Sequence, residues 1–198
     1  MSDYKTQFFL ECLPYTDGIS GKRVLVTGGG PIGLLVAMTA KTFGAVPVAL
    51  SDVLETRRAT ACKLGADVAL DPSAKNLLEQ VSEISGDGFD VVFEASGAPP
   101  ALRQAFDLVR PGGTIVQIGT LGTADIPLPA NQLMVREINF IGSMRYGNVF
   151  DEAIRLVAAG RIDLRPLVSG VLPLAEAAEA MRLAADKNTT LKVQIEIN

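Results

Sequence analysis

The stretch Val24-Leu25-Val26-Thr27-Gly28-Gly29-Gly30-Pro31-Ile32-Gly33 decides how this chain of 198 residues is read. An apolar run leads into a glycine-rich turn, and a second apolar run continues from Ile32 to Phe43. That order is a buried strand, a tight turn and a helix. Gly28, Gly30 and Gly33 stand at G-x-G-x-x-G spacing, and each answers a separate physical need. The first permits a backbone turn that side chains forbid, the second lets the main chain approach a pyrophosphate, and the third lets helix and strand pack closely. Pro31 suits the first helical turn, where no N–H is needed. The helix start then offers free amides and a positive dipole end to two phosphates.

Glycines gather in many strand-to-helix turns, so support must come from further along. Residues 45–50 read as a second strand that ends in Ser51-Asp52, an acidic residue 19 positions after Gly33. A carboxylate there accepts hydrogen bonds from the adenosine ribose of NAD and repels the 2′-phosphate of NADP. The competing reading of Asp52 is an N-cap for the helix that starts near Leu54. Arg57 is placed to lie against the adenine face, or to meet a 2′-phosphate, whereas Arg58 reads as a solvated charge. The expected cofactor is NAD.

From residue 23 strand and helix alternate: strand 23–27, helix 32–43, strand 46–50, helix 55–64, strand 68–70. Asp71-Pro72-Ser73 is expected to open a helix to about residue 85. Strand 89–94, helix 98–109, strand 114–118, a loop rich in Pro and Ala, strand 138–143 and helix 149–159 follow. The pattern predicts a doubly wound α/β fold, a parallel six-stranded sheet of the Rossmann type in the order 3-2-1-4-5-6. Residues 1–20 read as a leader of unclear structure, 21–160 as the NAD-binding domain and 161–198 as a C-terminal strand-helix-strand appendage. Ser96-Gly97 and Ile118-Gly119 lie where the fourth and fifth strands end, which borders the crevice of such a sheet. Arg145 and Tyr146 follow the sixth strand on the far side of that crevice.

Composition narrows the function further. Eighteen basic residues stand against 22 acidic ones, a net charge of −4 that gives no general attraction for nucleic acid. No apolar run reaches the length of a membrane span, and the N-terminus has no signal-peptide pattern, so the expected compartment is the cytoplasm. The sequence holds two cysteines and no histidine. Cys62 is expected to be a small buried hydrophobe, and Cys12 has no assigned place. Without histidine, Ser-His-Asp and Cys-His arrangements are excluded, and material for a zinc site is poor. No catalytic residue and no metal ligand is identified.

These residues resemble the medium-chain dehydrogenase/reductase superfamily, and within it the zinc-dependent polyol branch around sorbitol and L-idonate 5-dehydrogenases. The likeness runs from about Gly21 to Asn198. It rests on residues 21–33, on Asp52 with Arg57, and on Lys63-Leu64-Gly65-Ala66-Asp67. Phe89 to Glu94, Arg110 to Gly119, and Gly160 to Asp163 with Arg165 to Ser169 complete the set. The resemblance implies a coenzyme domain without the N-terminal GroES-like domain that carries the catalytic zinc, so no zinc is expected in this chain. It implies that Asp52 and Arg57 bind the adenosine half of NAD. With the residues read from the turn and the strand ends, the expected cofactor-binding set is Gly28, Gly30, Pro31, Ile32, Gly33, Asp52, Arg57, Ser96, Gly97, Ile118, Gly119 and Arg145, the last of which reads nearly as well as an ordinary surface arginine. The resemblance also implies a homodimer through the edge strand Ile138 to Ser143 and a catalytic domain supplied elsewhere, without which turnover is poor. Two other readings stay open: a stand-alone module that binds or senses NAD(H), and a zinc-independent reductase of the same superfamily.

Overall fold

A computed structural model describes Leu10, residues 16–144 and residues 149–197. Arg145, Tyr146 and Cys12 lie outside the described residues. Six parallel strands form one sheet: β1 (Val24–Thr27), β2 (Val48–Ser51), β3 (Val68–Leu70), β4 (Phe89–Glu94), β5 (Val109–Gln117) and β6 (Asn139–Gly142). Their order is β3-β2-β1-β4-β5-β6, so the topology expected from the alternation is the one observed. Helices α1 (Pro31–Thr42), α2 (Glu55–Lys63), α3 (Leu77–Ser85), α4 (Pro99–Leu108), α5 (Ala130–Val135) and α6 (Phe150–Ala158) connect and flank the strands.

The sheet is buried on both faces because its central strands are apolar along most of their length, with Thr27 and Glu94 the polar residues at their carboxyl ends. Val24 and Val26 of β1 join Val91 and Phe93 of β4 in one core, with Leu34, Leu35 and Val36 of α1. Leu25 and Val92 point the other way, into a second core with Leu102, Phe106 and Ile115. The in-register pairing of Val24 with Val91 and Leu25 with Val92 makes the two alternations coincide. Leu10 and Ile19 are also buried in the first core, so part of the segment read as a leader is packed against the domain.

Several boundaries differ from expectation, each for a local reason. Asp71 Oδ1 accepts the Ser73 amide (2.9 Å) and hydroxyl (2.6 Å), and this side-chain turn competes with helix, so α3 begins only at Leu77. Residues 110–113, which fall between the expected helix 98–109 and strand 114–118, lie inside β5, where the register against β4 slips between Phe89 and Val91. The Pro- and Ala-rich loop contains the six-residue helix α5, too short for periodicity to reveal. Cys62 is exposed, contrary to the expected burial, because Arg57 and Ala61 take the inward face of α2. Arg58 is not a free surface charge: it donates to the carbonyls of Asp52 (2.7 Å) and Val53 (3.1 Å) and meets Asp71 at 3.5 Å.

The tail forms a separate two-stranded parallel sheet of β7 (Val168–Pro173) and β8 (Lys192–Glu196), bridged by α7 (Ala177–Ala185). The strand-helix-strand pattern is as read from the sequence. At the opposite end of the main sheet from its carboxyl-end crevice, Asp90 lies between Arg23 and Arg110. Burial alone would raise its pKa, but hydrogen bonds from both guanidiniums hold the carboxyl well below its usual range. Among the described residues no helix is long and apolar enough to cross a membrane.

Candidate cofactor cleft

The strand order reverses between β1 and β4, and the carboxyl ends of those strands open a crevice there. The first turn builds its floor. Gly28 has φ +93°, a conformation that side chains rarely adopt, and its amide donates to the Ser51 carbonyl at 2.7 Å. A Cβ at Gly28 would meet Ser96 Cα at 2.8 Å, and one at Gly33 would overlap the Gly28 carbonyl oxygen. Around Gly30, by contrast, nothing lies within 4 Å of where a Cβ would be. Two glycines are therefore required by the fold, and the third leaves open space over the start of α1. Gly30 is the N-cap of that helix, no side chain caps it, and Pro31 is in its first turn.

Asp52 forms the next wall. Its Oδ2 accepts the Gly29 amide at 2.6 Å and its Oδ1 accepts the Leu54 amide at 2.8 Å. These two bonds orient the carboxylate toward the turn and leave acceptor capacity on both oxygens. The N-cap position of α2 falls on Leu54, not on Asp52, although the Asp52 side chain does bond the Leu54 amide.

Arg57 is 8% exposed. Its Nη2 donates to the carbonyls of Lys187 and Thr190, the latter at 2.7 Å, and its Nη1 is buried without a hydrogen-bond partner. The guanidinium thus straps the C-terminal segment to the domain and keeps one donor in reserve. An unmade bond to a buried charged group is costly, about 1–3 kcal/mol or more, so this nitrogen suits a ligand acceptor.

Together these residues enclose a cleft of about 410 Å³, lined by Gly28, Gly30, Pro31, Asp52, Leu54, Arg57, Ala95, Ser96, Ala184, Lys187, Thr190 and Leu191. Its size falls in the range of small-molecule sites, roughly 300–1,000 Å³. Sequence reasoning named Gly28, Gly30, Pro31, Asp52, Arg57 and Ser96. Of its other candidates, Gly33 is buried behind the turn and Ile32 is partly buried against the first core. Gly97, Ile118 and Gly119 sit beside the cleft, where the loops after β4 and β5 touch: a Cβ at Gly97 would lie 2.5 Å from the Thr120 carbonyl oxygen. The amides of Ile118 and Gly119 both donate to the Glu94 carbonyl at 2.8 Å. Sequence reasoning missed the wall from Ala184 to Leu191, whose only local signal was the change of pattern after Gly160. It also gave no role to the Glu94 side chain.

Among the described residues no three His, Cys, Asp or Glu side chains gather, and the sequence holds no histidine. The described residues do not fit a catalytic zinc.

Fold and cleft define a Rossmann-type α/β domain with a ligand crevice at its topological switch point. The family model described as zinc-binding dehydrogenase matches residues 31–159, more than half of the chain. The chain therefore belongs to the zinc-binding dehydrogenases, within the medium-chain dehydrogenase/reductase superfamily. It is 35% identical over 177 residues to L-idonate 5-dehydrogenase (NAD(P)(+)) of Escherichia coli, covering 89% of this chain and 51% of that protein. The crystal structure of that enzyme superposes with a TM-score of 0.89 and 32% identity, over 98% of this chain and 55% of that one. D-xylulose reductase A of Aspergillus oryzae is 36% identical over 166 residues, 81% of this chain and 46% of that protein. A zinc-binding dehydrogenase structure from Sinorhizobium meliloti, bound to NADP, has 29% identity and a TM-score of 0.84 over 97% of this chain and 56% of that one. The chain thus spans about half the length of the relatives it matches.

Proposed function

We propose that this chain holds NAD(H) for an alcohol, polyol or sugar-acid dehydrogenase that moves a hydride between a secondary alcohol and NAD. The observation that carries the reading is the open backbone at Gly30 facing the oriented carboxylate of Asp52 at the switch point. The start of α1 with Gly28 to Gly33 would hold the pyrophosphate, and Asp52 the adenosine ribose hydroxyls. Arg57 Nη1 would supply a donor on the adenosine side, while Ser96, Gly97, Ile118 and Gly119 would border the nicotinamide half. When bound, the cofactor supplies the hydride acceptor; the protein supplies its orientation and exclusion of water. The relatives include one named for NAD(P)(+) and one bound to NADP. Preference for NAD here is read from the Asp52 carboxylate, which disfavours a 2′-phosphate.

We infer further that the substrate-activating groups come from a catalytic region outside the described residues. Val171, Leu174, Met181 and Ile197 leave apolar surface on the C-terminal unit, which suits packing against such a region. The homodimer reading has support in β6, which among the described residues pairs only with β5 and forms the sheet edge with Phe140 and Ile141 half-exposed. An exposed free thiol at Cys62 suits a reducing compartment, the cytoplasm. Titration of the chain with NADH and NADPH, followed by a screen of polyols and sugar acids with NAD, tests the proposal. Saturable NADH binding is expected without efficient turnover by this chain alone. Absence of NADH binding would overturn the reading, and zinc-free turnover would place the substrate side within the chain.

A further inference from the structure

Glu94 ends β4 with no exposed surface. Among the described residues it has no cationic partner: the ion pairs engage other carboxylates. Its side chain is held instead by neutral donors from three strand ends. Oε1 accepts the amides of Ser96 (2.8 Å) and Gly97 (3.0 Å), the Ser96 hydroxyl, and more distantly the Thr27 hydroxyl (3.4 Å). Oε2 accepts the side-chain amide of Gln117 at 2.8 Å. Two backbone amides and a carboxamide donating to one carboxyl group match the acceptor-only, anionic form.

A buried charge without an opposite charge is expensive to hold. Its position gives it another use. Glu94 ties together Thr27 before the glycine turn, the Ser96-Gly97 loop that lines the cleft, and Gln117 before Ile118-Gly119. Among the described residues, both loops that border the proposed nicotinamide end are tied to it, the first directly and the second through Gln117. Oxidised nicotinamide carries a positive charge that the reduced ring lacks.

We propose that Glu94 is a positioning residue that also tunes the site toward the oxidised cofactor, by anchoring three strand ends around an unpaired buried negative charge. The inference rests on the NAD(H)-binding reading above. A unit charge about 10 Å away at an effective dielectric near 20 changes a binding ratio by about seventeenfold, and solvent screening lowers that figure. The charge favours NAD⁺ over NADH relative to the same site without it, whatever the absolute affinities.

The test compares dissociation constants for NAD⁺, NADH and AMP in the unsubstituted chain and in Glu94→Gln, which keeps size and removes charge. The ratio of the NAD⁺ constant to the NADH constant is expected to rise at least threefold, while AMP binding, which reads the Asp52 end, stays within twofold. Glu94→Asp keeps the charge and is expected to keep the ratio. Gln117→Lys sets an ammonium against Oε2 and cancels the charge by a second route, so it serves if Glu94→Gln does not fold. An unchanged ratio in whichever charge-cancelling variant folds overturns the proposal, as does an equal shift in Glu94→Asp. An unsubstituted chain that binds neither NADH nor AMP overturns the cofactor reading and this inference with it.

Discussion

Replacing Asp52 by Asn separates charge from shape at the adenosine end of the cleft. The carboxylate accepts two backbone amides, from Gly29 at 2.6 Å and Leu54 at 2.8 Å. An Asn oxygen replaces only one of these acceptors, and its NH₂ group is set against the other amide. Fold stability should fall by about 1–3 kcal/mol, the cost of one unsatisfied group. Toward ligand the loss is distinct. A hydrogen bond to a charged group contributes about 1.5–3 kcal/mol, so NADH affinity should fall roughly ten- to a hundredfold. NADPH should respond oppositely, because the variant removes a like charge beside the 2′-phosphate; two charges about 4 Å apart at a dielectric near 20 interact by about 4 kcal/mol, an upper bound in an open cleft. The NADPH-to-NADH ratio of dissociation constants should therefore fall by well over tenfold. Calorimetric titration of both cofactors, at a temperature where both proteins are folded, measures it. A ratio within twofold of the unsubstituted chain would refute the placement of the ribose at Asp52.

Two glycines of one turn should behave differently: Gly30→Ala, with open space around it, should keep its melting temperature and lose at least tenfold in NADH affinity, whereas Gly33→Ala, which would overlap the Gly28 carbonyl, should be poorly folded. Thermal melts beside NADH titrations distinguish them. Asp90→Asn should remove on the order of 2 kcal/mol at neutral pH, because Arg23 and Arg110 lose their shared charged acceptor. Since the folded pKa of Asp90 is depressed, its contribution is full above the unfolded value near 4 and is lost as pH falls below it. Urea unfolding from pH 7 down to pH 3 should thus show a shallower acid loss in the variant, and parallel curves would contradict the argument. Arg57→Ala frees the carbonyls of Lys187 and Thr190. Hydrogen exchange across residues 186–192 should speed at least tenfold while β1 and β4 keep their protection; unchanged exchange would show that Arg57 does not hold the strap.

The amino-acid sequence by itself determined the sheet order and the floor of the cleft. Those features follow from rules that act within a few residues: apolar runs for strands buried on both faces, glycine where φ is positive at Gly28, a carboxylate at the end of the second strand. The same local rules misplaced Cys62 and Arg58, since the side of a short helix that turns inward depends on what packs against it. They also missed the start of α3, where Asp71 bonds Ser73. Only the tertiary structure decided the opposite wall of the cleft and the wiring beneath it. Arg57 reaches Thr190 across 133 positions, and Thr27 meets Glu94 across 67. No spacing rule spans such distances, because they are set by how a whole sheet and its tail close on each other. The glycine turn marks the floor of the cleft; the long-range partners of Asp52, Arg57 and Glu94 shape its walls.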